Sequence, residues 1–143
     1  MSARDTVSPI THDERQQRLS ALQNSLPAFE LDAVMITPGA SMRYFFGLTW
    51  RETERLVCAI VSAQHVVFVC PKFEDTALLA GLSGSYDYGW WEEHEDPRTV
   101  VAKVLSDSNC QNVGVDPSCS YGQVFALGKA TPATLTSAGP ILQ

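Results

Sequence analysis

The chain has 143 residues, 45% of them hydrophobic, which is enough for one domain with a buried core and no need of stabilising disulfides. Sixteen acidic and ten basic residues give a net charge of −6 without any lysine or arginine cluster, which makes nucleic acid and anionic membranes poor partners. The apolar runs are too short to cross a bilayer and the N-terminus is polar, so we expect a cytoplasmic protein with no membrane association.

The N-terminal third begins with a polar segment, residues 1–10, which predicts a loose arm ahead of a single domain over 11–143. Thr11 and Glu14 form a capping box at the start of a predicted helix over 12–26. The leucines of that helix recur at spacings of three and four, so it buries one stripe.

The next elements are strands with a short helix between them. Residues 31–36 read as a buried strand, and a short helix follows that Gly47 can end with a positive φ. Two apolar runs, 56–61 and 66–70, are separated by a loop so short that they must form an antiparallel hairpin. Because these runs show no polar alternation, we expect helices to cover both faces of their sheet.

The second half continues the alternation of helices and strands. We predict a helix at 73–82, a strand at 86–91, an acidic loop at 92–96, a helix that begins at Asp96 and Pro97, a strand at 112–116, a helix at 121–127 and an edge strand at 134–136. The whole pattern predicts an α/β fold, a three-layer domain with a mixed β-sheet and helices on both faces.

Neither a metal site nor a catalytic residue is predicted within the chain. His12, His65 and His94 are the only histidines, and none stands in a metal-binding motif. His94 lies in the acidic loop, whose contiguous carboxylates cannot all turn inward, so we expect a solvated loop. The glycines form no phosphate-binding loop, no serine stands in a nucleophile elbow, and Cys58 and Cys70 read as buried reduced thiols.

One group of residues has the character of a binding wall, since arginine can hold a carboxylate through two hydrogen bonds and tryptophan offers a flat apolar face suited to a proline ring. Its members are Arg43, Tyr44, Phe46, Trp50, Arg51, Glu54 and Arg55, with Trp90 and Trp91 from another strand end. The alternative is that residues 44–46 are core and that Arg51, Glu54 and Arg55 form surface ion pairs. We favour core for residues 44–46, and leave Trp50 and Arg51 open between wall and surface.

At these residues the chain resembles the N-terminal domain of the creatinase, prolidase and Xaa-Pro aminopeptidase family of metallopeptidases. The resemblance runs in order through the segments Arg18-Leu19-x-x-Leu22, Leu31 to Ile36, Ser41 to Leu48, Glu54-Arg55-Leu56, Val69 to Glu74, Trp91 to Pro97 and Val113 to Asp116. It covers nearly the whole chain. Trp50, Glu54-Arg55-Leu56 and the acidic loop resemble the Xaa-Pro peptidase branch more than the creatinase branch.

The resemblance implies a non-catalytic domain that precedes a catalytic domain of the pita-bread fold, which we expect to lie outside these 143 residues. In the family, two aspartates, a histidine and two glutamates of the catalytic domain hold two divalent metal ions, here expected to be Mn, Co or Zn. The implied partners are that catalytic domain, a second subunit in a homodimer and a proline-containing peptide substrate. Trp50, Arg51, Arg43 and Tyr44 become candidates for the wall of the substrate pocket.

Two other functions fit the same fold. One is a self-standing module that binds a protein partner, and the other is the N-terminal domain of a creatinase-like hydrolase that does not cleave peptides. The reading frame after Gln143 separates the peptidase from the module, since only the peptidase requires the metal ligands to follow.

Overall fold

The computed structural model describes residues 10–51, 53 and 55–143. The predicted arm at 1–10 therefore lies outside the described residues except for Ile10, and so does Glu54 of the predicted wall. The helices are α1 (His12–Ser25), α2 (Ala40–Phe46), α3 (Asp75–Gly81), α4 (Pro97–Asp107), α5 (Tyr121–Ala130) and α6 (Gly139–Leu142). The strands are β1 (Ala33–Ile36), β2 (Cys58–Ser62), β3 (Val66–Pro71), β4 (Asp87–Trp91), β5 (Asn112–Val115) and β6 (Thr134–Ser137).

The strands form one mixed sheet in the order β4-β3-β2-β1-β5-β6. β2 is antiparallel to both β1 and β3, while β1, β5 and β6 are mutually parallel and β3 is parallel to β4. The predicted hairpin is confirmed, with Cys58 opposite Val69 and Val61 opposite Val66. Because β2 alone runs against the others, the carboxyl ends of the remaining five strands lie along one edge of the sheet.

Helices cover both faces of this sheet, which confirms the predicted three-layer architecture. The first cluster packs α1, α2 and α3 on one face, and its buried members include Leu19, Leu22, Val34, Ile36, Met42, Phe46, Phe68 and Leu78. The second cluster packs α4 and α5 on the other face, and its buried members include Met35, Cys58, Ile60, Trp91, Val101, Leu105, Val113 and Leu127. Successive strand residues alternate between the clusters, as the pleat requires.

Element boundaries differ from the prediction where local backbone chemistry intervenes. α1 ends at Ser25 because Pro27 cannot continue it, and residues 26–29 form a 3-10 turn instead. The helix predicted at 73–82 is split into a 3-10 turn, Lys72–Glu74, and α3. β2 begins at Cys58, although Leu56 and Val57 before it are buried. No helix among the described residues is long and apolar enough to cross a membrane.

Candidate functional site

The start of α2 is fixed at the carboxyl ends of two parallel strands. Thr37 follows β1, and its N–H donates to the buried carboxylate of Asp116, which follows β5, at 3.2 Å. The hydroxyls of Thr37 and Ser118 share a hydrogen bond of 2.8 Å. Gly39, with φ +144°, then turns the chain into α2. The helix therefore begins where α/β sheets place ligands, as the sequence predicted.

The end of α2 is held by two arginines of α1. Gly47 has φ +67° and its N–H donates to the carbonyl of Arg43 at 2.9 Å, which confirms the predicted glycine stop. The guanidinium of Arg15 lies directly against Gly47, in space that a Cβ there would occupy. Arg18 donates from Nη1 to the carbonyl of Tyr44 at 2.9 Å and lies 4.0 Å from the centre of its ring. Positive charge at a helix C-terminus stabilises its exposed carbonyls.

Only two of the three consecutive aromatics in α2 belong to the core. Phe45 and Phe46 are buried in the first cluster, as expected. The core prediction for Tyr44 is wrong, because its side chain is 51% exposed. Met42, Phe45 and Phe46 share the inward stripe at spacings of three and four, which leaves Tyr44 on the outer side under Arg18.

The predicted pocket wall consists of Arg43, Tyr44, Trp50 and Arg51, and these four residues differ in exposure. Arg43 is exposed on α2 beside Tyr44, and Arg51 is exposed after Trp50, which is half-buried against the first cluster. Within the described residues, no hydrogen bond or ion pair engages the guanidinium of Arg43 or Arg51. Tyr44 also lines an open depression of about 320 Å³ beside the end of the chain.

Trp90 and Trp91, grouped with the wall by sequence, lie on opposite faces of the sheet. Trp90 packs on the first cluster, stacked on Tyr88 with ring centres 4.9 Å apart and planes 5° apart. Trp91 is buried in the second cluster, and its Nε1 donates to the carbonyl of Leu56 at 3.1 Å. Adjacent strand residues point to opposite faces, so the two rings cannot line one pocket.

Arg55 matches the surface alternative rather than a wall. Its guanidinium lies 3.4 Å from the carboxylate of Glu93 in the acidic loop, and both side chains are mostly exposed. Arg55 also lies over the ring of Phe73, 4.9 Å from its centre. An exposed pair of this kind contributes at most about 1 kcal/mol. We assign Arg55 to the surface.

The acidic loop orders itself through local hydrogen bonds. Glu95 accepts from the N–H of Glu92 at 2.9 Å, and Asp96 caps α4 by accepting from the N–H of Arg98 at 3.0 Å. His94 and its neighbours are exposed, as predicted for a solvated loop. In the described part of the chain no three His, Cys, Asp or Glu side chains are grouped as metal ligands would be.

The thiols within the strands are placed for packing rather than chemistry. Cys58 and Cys70 are fully buried, one in each cluster. Burial raises the pKa of Cys70 to about 12, with the nearby Glu74 adding to the shift, and burial also raises the pKa of Cys58. A thiol that stays protonated and inaccessible is a poor nucleophile, which agrees with the prediction from sequence.

Sequence reasoning assigned no contact to the arginines of α1. Arg15 and Arg18 stand three residues apart, so they project from the same side of α1 and meet the end of α2 together. It also missed Asp116 and Ser118 as the residues that fix the α2 turn. The available signal was Asp116 directly after a strand, the usual place for residues that shape a carboxyl edge.

Comparison with known proteins identifies the family of this chain. Residues 18–143 match the Creatinase/Prolidase N-terminal domain family. The chain belongs to this family. An uncharacterized peptidase from Schizosaccharomyces pombe is 31% identical over 72% of this chain and 28% of its own length.

Solved structures of family members share the fold. Dipeptidase PepE from Mycobacterium ulcerans superposes with a TM-score of 0.78 at 24% identity, over 90% of this chain and 35% of the other. The creatinase/prolidase N-terminal domain of an X-Pro dipeptidase from Streptococcus pyogenes gives a TM-score of 0.76 at 14% identity, over 89% of this chain and 97% of that domain. The chain thus spans about a third of the longer relatives and nearly all of an isolated N-terminal domain.

Proposed function

We propose that this chain is the non-catalytic N-terminal domain of a Xaa-Pro aminopeptidase or dipeptidase-like metallopeptidase that is cytoplasmic and homodimeric. The observation that carries the proposal is the family match over residues 18–143, among relatives that include an X-Pro dipeptidase domain of nearly the same extent. In this proposal the domain helps to form the dimer and supplies part of the substrate pocket. A catalytic domain supplies the chemistry.

The two metal ions, Mn, Co or Zn, belong to the catalytic domain in this proposal. The described residues do not fit such ions, because no three potential ligands among them are grouped together. What this chain supplies is binding chemistry on α2 and in the loop after it. The exposed guanidiniums of Arg43 and Arg51 suit a substrate carboxylate, and the half-buried Trp50 offers an apolar face to a proline ring.

The position of Tyr44 supports a place for it in the same wall. Its ring is exposed, yet it is held by Arg18 at 4.0 Å and by Phe45, whose ring centre lies 4.9 Å away at 87°. An exposed aromatic ring with a fixed orientation loses little conformational entropy when it contacts a ligand. Arg43, Tyr44, Trp50 and Arg51 therefore form the proposed pocket wall, oriented by α1 and the first cluster.

The reading frame after Gln143 tests the assignment to a peptidase. We expect it to continue into a domain with two aspartates, a histidine and two glutamates as metal ligands. Expression of that protein should give Mn-dependent hydrolysis of a Xaa-Pro dipeptide, and the 143-residue chain alone should give none. A stop codon at this point, or hydrolysis by the isolated chain, would overturn the proposal.

Substitutions in the longer protein test the wall. Arg51→Ala should raise KM for a Xaa-Pro dipeptide by a factor of about 10 to 100, since a hydrogen bond to a charged group contributes about 1.5–3 kcal/mol. Lys103→Ala is the matched control, because Lys103 is an exposed cation on α4, paired with Asp107 at 2.7 Å on the opposite face of the sheet. Equal KM values for both variants would reject the wall and leave the domain assignment intact.

A further inference from the structure

The C-terminal part of the chain carries almost no side-chain charge. All sixteen acidic residues lie at or before Asp116, and Lys129 is the one basic residue after it. Residues 117–143 nevertheless form two helices, α5 and α6, and the edge strand β6. In a chain with a net charge of −6, this segment can contact a second copy without contributing an acidic residue of its own.

The same region exposes aromatic side chains on α5. Tyr121 is 81% exposed and Phe125 is 54% exposed, and their rings stack with centres 6.1 Å apart. The ammonium group of Lys129 lies 4.4 Å from the centre of the Phe125 ring. Tyr121 also lines a depression of about 340 Å³ together with Leu135 and Ser137 of β6. The aromatic side of α5 and the edge of the sheet therefore form one continuous surface of the kind that marks a protein interface.

The outer edge of β6 is open to pairing, since none of the described strands lies beyond it. The N–H of Thr134 donates to the carbonyl of Gln111 at 2.7 Å, and the N–H of Ala138 donates to the carbonyl of Val115 at 2.8 Å. Backbone groups alternate in direction along a strand, so Leu135 and Ser137 direct their N–H and C=O groups away from β5. No charged residue or proline within β6 protects this edge.

We propose that β6 and α5 form the interface between two copies of this chain, paired edge to edge about a two-fold axis at Thr136. The partner is a second copy because residues 117–143 contain no acidic residue in a chain with a net charge of −6, and because an antiparallel pair of identical strands closes with two-fold symmetry. The proposal specifies the homodimer of the proposed function, on which it rests.

The register follows from the outward backbone groups. With Thr136 opposite Thr136 of the second copy, Leu135 of each copy faces Ser137 of the other, so both outward residues form hydrogen-bonded pairs. With the axis at Leu135, Ser137 would face a residue outside β6 of the second copy, and with the axis at Ser137, Leu135 would do so. The two sheets then join into one continuous sheet, and the exposed rings of the two α5 helices add the apolar area that a four-residue strand lacks.

Analytical ultracentrifugation of the chain and two lysine variants tests the interface. We expect a dimer for the natural chain and a monomer for Thr136→Lys, because two ammonium groups would meet at the axis. Thr134→Lys is the matched control, since Thr134 is exposed on the same strand and would face Ala138 of the second copy. Its two ammonium groups would lie about 14 Å apart, four residues of strand, so the dimer should persist. Circular dichroism confirms that both variants are folded.

A cysteine pair gives the second measurement. Thr136→Cys should form an intermolecular disulfide on mild oxidation, since Cα atoms of a non-hydrogen-bonded antiparallel pair lie about 4.5 Å apart. Thr134→Cys and the natural chain should not cross-link. A dimer that survives Thr136→Lys, or that fails to cross-link through Thr136→Cys, overturns this interface and leaves the homodimer standing. A monomer at all concentrations also overturns this interface, whereas the homodimer of the proposed function is decided by ultracentrifugation of the longer protein and the peptidase assignment by the reading frame.

Discussion

The two faces of the sheet are stabilised by different kinds of side chain. On the first face, the ring of Phe46 contacts those of Phe68 and Tyr86 edge to face, with centres 4.9 Å and 5.5 Å apart. The second face is built from aliphatic side chains and thiols, with Trp91 as its one aromatic ring among the buried described residues. Rings that interlock edge to face fix orientation more strictly than aliphatic side chains do.

This difference corresponds to a difference in role. The first face orients α2, whose outer side carries Arg43 and Tyr44 of the proposed pocket wall. The second face supports α5, whose exposed rings belong to the proposed interface between two copies. A pocket needs precisely oriented side chains, whereas an interface between flat surfaces needs area, so the aromatic face suits the first role and the aliphatic face the second.

The largest effect is expected when the aromatic contact on the first face is broken. Phe46→Ala should lower the free energy of unfolding by about 3–5 kcal/mol, because it removes a fully buried ring from two edge-to-face contacts. Phe29→Ala, at an exposed ring, is the control and should cost under about 1 kcal/mol. Urea unfolding measures both. Equal losses would show that the aromatic contacts do not stabilise this face.

High pH should lower the free energy of unfolding, because each face of the sheet contains a buried thiol. The folded pKa values of Cys58 and Cys70 are raised by burial, so the thiols ionise near pH 9 only in the unfolded chain. Their contribution to stability is complete below that pH and is lost as pH rises towards the folded pKa. The free energy of unfolding should fall by about 1.4 kcal/mol per pH unit per thiol above about pH 9.

Urea unfolding between pH 8 and pH 10.5 measures this slope. Cys58→Ala and Cys70→Ala should each make the slope smaller by about 1.4 kcal/mol per pH unit, the contribution of one thiol. Each variant should also be less stable at neutral pH. A slope unchanged in both variants would mean that other groups cause the loss.

Substitutions of the adjacent residues Trp90 and Trp91 compare how much one ring contributes to the stability of each face. Trp91→Phe should cost about 1–3 kcal/mol, because the buried carbonyl of Leu56 loses the donor at 3.1 Å on the second face. Trp90→Phe should cost less, since Trp90 is only half-buried and a phenyl ring can keep the stack on Tyr88. Thermal unfolding compares the two variants. A larger loss for Trp90→Phe would reverse our assignment of the hydrogen-bonded ring as the more important one.

The smallest expected effect concerns the joint between α1 and α2. Gly47→Ala should cost about 1–2 kcal/mol, because φ +67° strains any residue with a Cβ and the Cβ would displace the guanidinium of Arg15. Gly128→Ala in α5 is the matched control, with open space around its Cβ, and should be neutral or stabilising by up to about 1 kcal/mol. A neutral Gly47→Ala would show that Arg15 does not restrain the end of α2.

Most of the fold was predictable because its signals are local in the chain. The N-cap at Thr11, the glycine stop at Gly47 and the short loop of the β2–β3 hairpin act within a few residues, and each is confirmed. The candidate site was less predictable. Tyr44 and Phe46 are both aromatic residues of the same short helix, so the sequence gives no clear sign of which ring is buried. The side of α2 that faces the core buries Phe46 and leaves Tyr44 exposed.

The sequence by itself determined the order of helices and strands, the mixed three-layer fold and, through its resemblance, the family. These properties depend on apolar periodicity and turn chemistry, which are written along the chain. Only the tertiary structure decided that Arg15 and Arg18 hold the end of α2 and that Asp116 fixes its start. Such contacts join residues far apart in sequence, and their geometry exists only once the sheet and its two layers of helices have packed.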